Sequence, residues 1–249
     1  MTEIEAFEEF EQKPKKPLDI GIAINDAFEI YKKIAIPGGI GLLIVMMIVS
    51  VIVIAGIGFF IDFEKFSEEM RDFKPENVSL QANLIYVGVL TVITALISPF
   101  IAGLLKMAHD ADHDEEVKLS SIGYYVNSTR FVHIVLTVTI LTLINTGINT
   151  FLSHTFPVFG GTLALIITFP FGVLTFISLP LVLFKELNFM EAIISSIKLI
   201  ASKFFMVLVL LLLAYIMAFV GLIAFCIGII FTLPIIYSMQ YVIYKSLAE

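Results

Sequence analysis

The residues best suited to chemistry in this chain are His109-Asp110-Ala111-Asp112-His113-Asp114-Glu115-Glu116. On a helix, His109 and His113 are four positions apart and share a face, and Asp112 or Glu116 would add an oxygen ligand. That pattern suits a divalent cation at a membrane surface. The same residues also read as a solvated acidic helix end, and both readings stand at this point. A second set is uncharged: Thr139, Thr142, Asn145 and Asn149, with Thr146 beside them, recur at helical spacing in an apolar run. Asparagines in lipid seek partners on other helices, so these residues either line a solute path or fasten helices together. His133 and His154 stand alone, and each reads as an interfacial histidine.

What is absent narrows the chemistry further. No nucleotide-binding Gly-rich loop with Lys, no GxSxG and no HExxH is present. Membrane oxygenases with HxxxH boxes use many histidines, whereas this chain has 4. Ion-driven transporters and intramembrane proteases place ionisable groups at hydrocarbon depth. No Asp, Glu, Lys or Arg falls inside any apolar run here. The lone Cys226 rules out an internal disulfide and reads as a small apolar filler.

The elements that must position these residues are membrane spans. The chain is 59% hydrophobic and 15% charged, with mean hydropathy +0.99, against about 25% charged residues in soluble domains. The run from Phe204 to Tyr244 contains no Asp, Glu, Lys, Arg or His. As one helix it would be about 61 Å long, roughly twice the ~30 Å hydrocarbon core, so it must fold back. The expectation is an all-α polytopic bundle of six spans at about 36–61, 82–105, 131–152, 158–184, 204–224 and 229–244. Small residues at Ala214, Ala218, Gly221, Ala224 and Gly228 would let the last two approach closely.

Residues 1–17 are acidic, then rich in Lys and Pro, and read as a mobile tail before a single transmembrane domain over 18–249. They lack the pattern of a cleaved signal peptide, so the first span reads as an uncleaved anchor. Net charge is -7, and nothing resembles a basic nucleic-acid face. Twelve of the 15 Lys and Arg residues fall on the N-terminal side of this topology, which predicts cytoplasmic termini.

The order of elements also suggests three copies of one unit, an interfacial amphipathic helix followed by a hairpin. The helices are Asp19 to Ile34, ended by Pro37-Gly38-Gly39; a weaker stretch with Leu119, Ile122 and Val126; and Asn188 to Lys203. The first presents Ile20, Ile24, Ala27, Phe28, Tyr31 and Ile34. The third presents Phe189, Ala192, Ile193, Ser196, Ile197 and Ile200, with Glu191, Ser195, Lys198 and Ser202 opposite and a capping box from Asn188 to Glu191. Each second span carries a hydroxyl beside a helix-breaking proline: Ser98-Pro99, Ser178-Leu179-Pro180 and Thr232-Leu233-Pro234. Proline frees a carbonyl one turn back, and the hydroxyl is placed to help satisfy it.

The amphipathic helices, the Gly-rich first span, Glu191-Ala192-Ile193, and Gly221-Leu222-Ile223 through Gly228 to Pro234 resemble a broad group of six-helix bacterial inner-membrane proteins of unassigned activity. That group includes the membrane domain sometimes fused to glycerophosphodiester phosphodiesterases, and some bacteroidete members carry a carotene-monooxygenase label. The resemblance implies architecture and location; it carries over no catalytic residue and no cofactor. The expected function is a non-enzymatic accessory or scaffold subunit of a membrane complex, its partners the bilayer and another membrane protein. The alternatives are a carrier or channel for a lipid or other apolar solute, and a metal-dependent enzyme at His109 and His113.

Overall fold

The computed structural model describes residues 18–60, 80–223 and 228–249. The tail over 1–17, the acidic segment after the first span, and Ala224 and Cys226 of the last hairpin lie outside the described residues. Those described form helices α1 Ile20–Phe60, α2 Leu80–Asp112, α3 Phe131–Thr155, α4 Gly160–Leu174, α5 Ser178–Phe184, α6 Phe189–Ala201, α7 Phe204–Ile223, α8 Gly228–Thr232 and α9 Pro234–Ala248. A 3-10 helix, Leu119–Asn127, joins α2 to α3. Among the described residues five helical stretches are long and apolar enough to cross a membrane: Ile20–Gly56, Gln81–Asp112, Phe131–Thr155, Gly160–Phe184 and Phe204–Leu222. The protein is therefore an all-helical, multi-pass membrane protein.

The expected break at Pro37-Gly38-Gly39 does not occur. α1 runs unbroken from Ile20, with Pro37 inside it. The buried positions Ala23, Ala27, Ile30, Ile34, Gly38, Gly41 and Val45, with Gly39 also buried beside Gly38, follow one another by three or four residues, so a single stripe passes through the proline. The glycines serve contact rather than turning. A Cβ on Gly38 would sit 3.3 Å from Leu104 and Pro234, and one on Gly39 would meet the Phe231 ring. The buried face is also rotated from the expected one, for Phe28 is exposed.

The second amphipathic stretch differs too. It is a 3-10 helix that buries Ser121 and Tyr125, whereas Leu119 and Val126 are exposed. Ile122 lies against α1 and α2 where Gly41 and Gly103 leave room for it. The third stretch is α6, and its capping box forms as read. Asn188 Oδ1 accepts from the backbone N–H groups of Met190 and Glu191, and Glu191 Oε2 accepts from the Asn188 N–H. Ser195, placed on the polar face by periodicity, is instead fully buried.

The fourth apolar stretch is interrupted at Thr175–Ile177, between α4 and α5, rather than at Pro180 itself. Proline at the third position of α5 suits a helix beginning just before it, since N–H groups in a first turn have no intrahelical partner. The last hairpin returns through α8 and α9, which separate around Leu233. Both ends of the described chain meet there, with Asp19, Ile22 and Asp26 lining one hollow together with Val242, Lys245 and Glu249.

Packing is uneven along the bundle axis. At the end where the termini meet, Ile34, Leu104, Met107, Ile134, Leu181, Ile200, Tyr241 and Tyr244 are fully buried. α9 is the centre of this half and packs on α1, α2, α5, α6 and α7. In the opposite half, Met47, Val51 and Ile54 of α1, Leu84, Ile85 and Val92 of α2, and Leu165 and Ile166 of α4 are exposed, as lipid-facing surface is.

Candidate functional site

The final turns of α2 place His109, Asp110, Asp112 and His113 at the packed end of the bundle. The helix closes in a Schellman arrangement: Asp114 N–H donates to the Ala111 carbonyl, and Glu115 N–H donates to the Asp110 carbonyl at 2.8 Å. Asp114 takes the left-handed conformation, φ 55, that glycine usually supplies. Lys33 of α1 reaches the same turn and donates to the Ala111 carbonyl at 2.8 Å and to Asp114 Oδ1 at 2.6 Å. The hydrogen bond and charge of Lys33 hold the exposed Asp114 carboxyl below its ordinary value.

Each acid of this turn is tied to a particular partner. Asp110 is buried and accepts from Lys106 Nζ through both oxygens, at 2.9 and 3.1 Å, while the Lys106 ammonium also lies 4.9 Å over the Tyr124 ring. Asp112 accepts from Lys245 Nζ at 2.6 Å and from Tyr241 Oη at 3.1 Å, both on α9. His109 is stacked between His113 at 4.2 Å and Phe184 at 5.0 Å, with the Tyr241 ring edge-on. His113 Nδ1 donates to the His109 carbonyl at 2.9 Å. Glu116 is exposed and pairs with Lys118 at 3.3 Å.

The four residues proposed from spacing as metal ligands therefore do not converge. His109 and His113 do share a face, but their rings are stacked one over the other, Asp112 points to α9, and Glu116 lies beyond the end of the helix. Among the described residues no three of His, Cys, Asp and Glu form a group placed to hold a metal ion. A similar tie joins α3 to the end of α5, where Glu186 also has positive φ, 58. Arg130 donates to the Glu186 carbonyl at 2.7 Å and pairs with its carboxylate.

No family model, curated protein or solved structure matches this chain. The residues must therefore speak for themselves, and two uncharged sites remain.

The first is the break between α4 and α5. The carbonyl freed by Pro180 is that of Phe176, and Gln240 of α9 donates its side-chain amide to it. Ser196 of α6 donates to the Leu174 carbonyl at 2.8 Å. The exposed ends of a broken span are thus closed by side chains of two neighbouring helices, as a low-dielectric setting requires. The neighbouring hydroxyls of Ser178 and Ser195 are buried with no hydrogen-bond partner among the described residues. At Pro99 the freed carbonyl is that of Ala95, and the adjacent Ser98 hydroxyl donates to it at 2.7 Å. At Pro234 the Thr232 hydroxyl is 2.6 Å from the Ala218 carbonyl of α7, so it joins helices instead.

The second uncharged site is the seam between α2 and α3. Thr94 and Thr142 hydroxyls meet at 3.2 Å. Beyond them, away from the termini, Tyr86 of α2, Asn145, Thr146, Asn149 and Thr150 of α3, and Thr168 of α4 line a hollow of about 300 Å³. The stripe noted in the sequence is thereby divided: Thr142 fastens two helices, Asn145 and Asn149 line the hollow, and half-buried Thr139 lines no part of it. Sequence reasoning missed Tyr86, Thr94 and Thr168, as well as Gln240. Thr91 and Thr94 share a face of α2 and were a readable signal. Nothing local marked Gln240.

Proposed function

We propose that this chain is a bacterial inner-membrane protein that works by binding, as an accessory or scaffold subunit of a membrane complex. In this reading the α8–α9 leg is a sixth span, the three amphipathic segments belong to a threefold plan, and the packed end with both termini is cytoplasmic. One observation carries the proposal: Asp114, Asp112 and His109 at the packed end are engaged in ties from α2 to α1, α9 and α5. A rigid, internally neutralised base is what a platform for another membrane protein needs. A partner is expected to recur in stoichiometric amount when the full chain is affinity-purified from its own membranes in mild detergent. Repeated recovery of the protein alone, or with a stoichiometric transition metal instead, would overturn the proposal.

A further inference from the structure

We infer that the hollow between α2, α3 and α4 is a binding site for an uncharged, hydroxyl-bearing lipid of the diacylglycerol type, held in the leaflet remote from the termini. This goes beyond the scaffold reading and stands without it.

The depth of the hollow is set by helix geometry. α3 spans Phe131–Thr155, so its midpoint is near Leu143, and Asn145 and Asn149 lie about 3 and 9 Å past it. Both are inside the ~15 Å half-thickness of the hydrocarbon core. α2 runs antiparallel to α3, and the Thr94–Thr142 contact fixes their register. Moving eight residues along each helix brings Tyr86 level with Thr150, and both line the hollow.

The lining then selects the ligand. Among the described residues, those that line it include no Asp, Glu, Lys, Arg or His. A phosphate or ammonium at this depth would be desolvated with no counter-charge, which is costly. The hydroxyl protons of Thr146 and Thr168 are already given to the Thr142 and Ala164 carbonyls, leaving oxygen lone pairs as acceptors. Asn145 gives one amide proton to the Leu141 carbonyl. Asn149 and Tyr86 make no hydrogen bond with the described residues, and their amide and hydroxyl can donate. A free hydroxyl next to ester carbonyls offers both a donor and acceptors to this set.

Size and surroundings point the same way. About 300 Å³ is at the lower end of small-molecule sites, whereas a docked helix needs a groove of ~10 Å width along its whole length. Exposed Ile85, Val89, Leu165 and Phe169 on the flanking helices would receive acyl chains.

The test uses the full-length protein in lipid nanodiscs with a diacylglycerol that carries a diazirine in one acyl chain. Photolabelling is expected to map to α2, α3 and α4, to be displaced by unlabelled diacylglycerol, and to resist phosphatidylglycerol of the same chains. Asn149→Leu and Tyr86→Phe, both at exposed positions, should each lower labelling roughly fivefold with thermal unfolding unchanged. Equal displacement by phosphatidylglycerol, labelling elsewhere, or labelling insensitive to both variants would overturn the inference. So would a benzophenone side chain introduced at position 150 that crosslinks a second polypeptide in native membranes instead of lipid.

Discussion

A proline inside a membrane helix raises one question at residue scale: what accepts the job of the missing N–H? At Pro99 the adjacent Ser98 does, as its position in the sequence suggests. At Pro180 the adjacent Ser178 does not, and Gln240 reaches Phe176 from 64 positions away in the chain. The two residues should therefore respond oppositely to removal. Gln240→Leu leaves a buried carbonyl unsatisfied and should cost about 1–3 kcal/mol in thermal or denaturant unfolding. Ser178→Ala deletes a buried hydroxyl that has no partner among the described residues and should be neutral or stabilising. Equal losses in the two variants would mean that the break is held in another way.

Acid sensitivity belongs to the same scale. Lys33 lowers the Asp114 pKa in the folded state, so the pair favours folding above the ordinary value of 3.8 and loses that contribution as pH falls below it. Wild type and Asp114→Asn should then differ in melting temperature at pH 6 and converge as pH falls through the lowered folded-state value of Asp114, since the pair is absent in both once Asp114 is protonated. A difference that persists unchanged at low pH would rule out the ion pair as its source. Asparagine is the appropriate replacement because it tolerates the left-handed conformation that this position holds.

At the scale of elements, glycine and capping positions decide where helices can lie. A side chain on Gly103 would enter the backbone of Ile122, and one on Gly221 would meet Thr232 and the Gly228 carbonyl 2.6 Å away. Gly103→Val and Gly221→Val should each destabilise by about 1–3 kcal/mol or displace the 3-10 helix and α8, read as lost thermal stability and new protease sites. Asn188→Ala should cost about 1 kcal/mol by uncapping α6. The α6 cap was legible because both partners lie within four residues of each other. The continuity of α1 was not, because Pro-Gly-Gly normally signals a turn. What overrides that signal is the set of side chains from α2, α8 and α9 that fill the space above Gly38 and Gly39, and no local pattern reports them.

For the molecule as a whole, composition and apolar run length were enough to read a helical membrane bundle, because lipid leaves few alternatives for the backbone. The division of chemistry within it was less accessible. Spacing brought His109 and His113 onto one face correctly, but only the fold shows that α9 and α1 neutralise the carboxylates beside them. Orientation remains an expectation from the distribution of Lys and Arg. A reporter enzyme fused after Lys118 should be active only in its cytoplasmic form; export of that reporter would invert the assignment.

The uneven packing has a mechanical consequence. The half that contains α9 is bolted by salt links and buried tyrosines, whereas the Thr94–Thr142 contact lies at mid-depth and, among the described residues, few polar links join α2 and α3 beyond it. A thinner or thicker bilayer exerts its strain where restoring forces are smallest. Tilt in response to membrane thickness would therefore be taken up by the free halves of α1 to α4, pivoting on a base that stays still. The shape of the α2–α3–α4 hollow would then vary with the bilayer around it, and a lipid seated there would feel the thickness of the membrane through the protein.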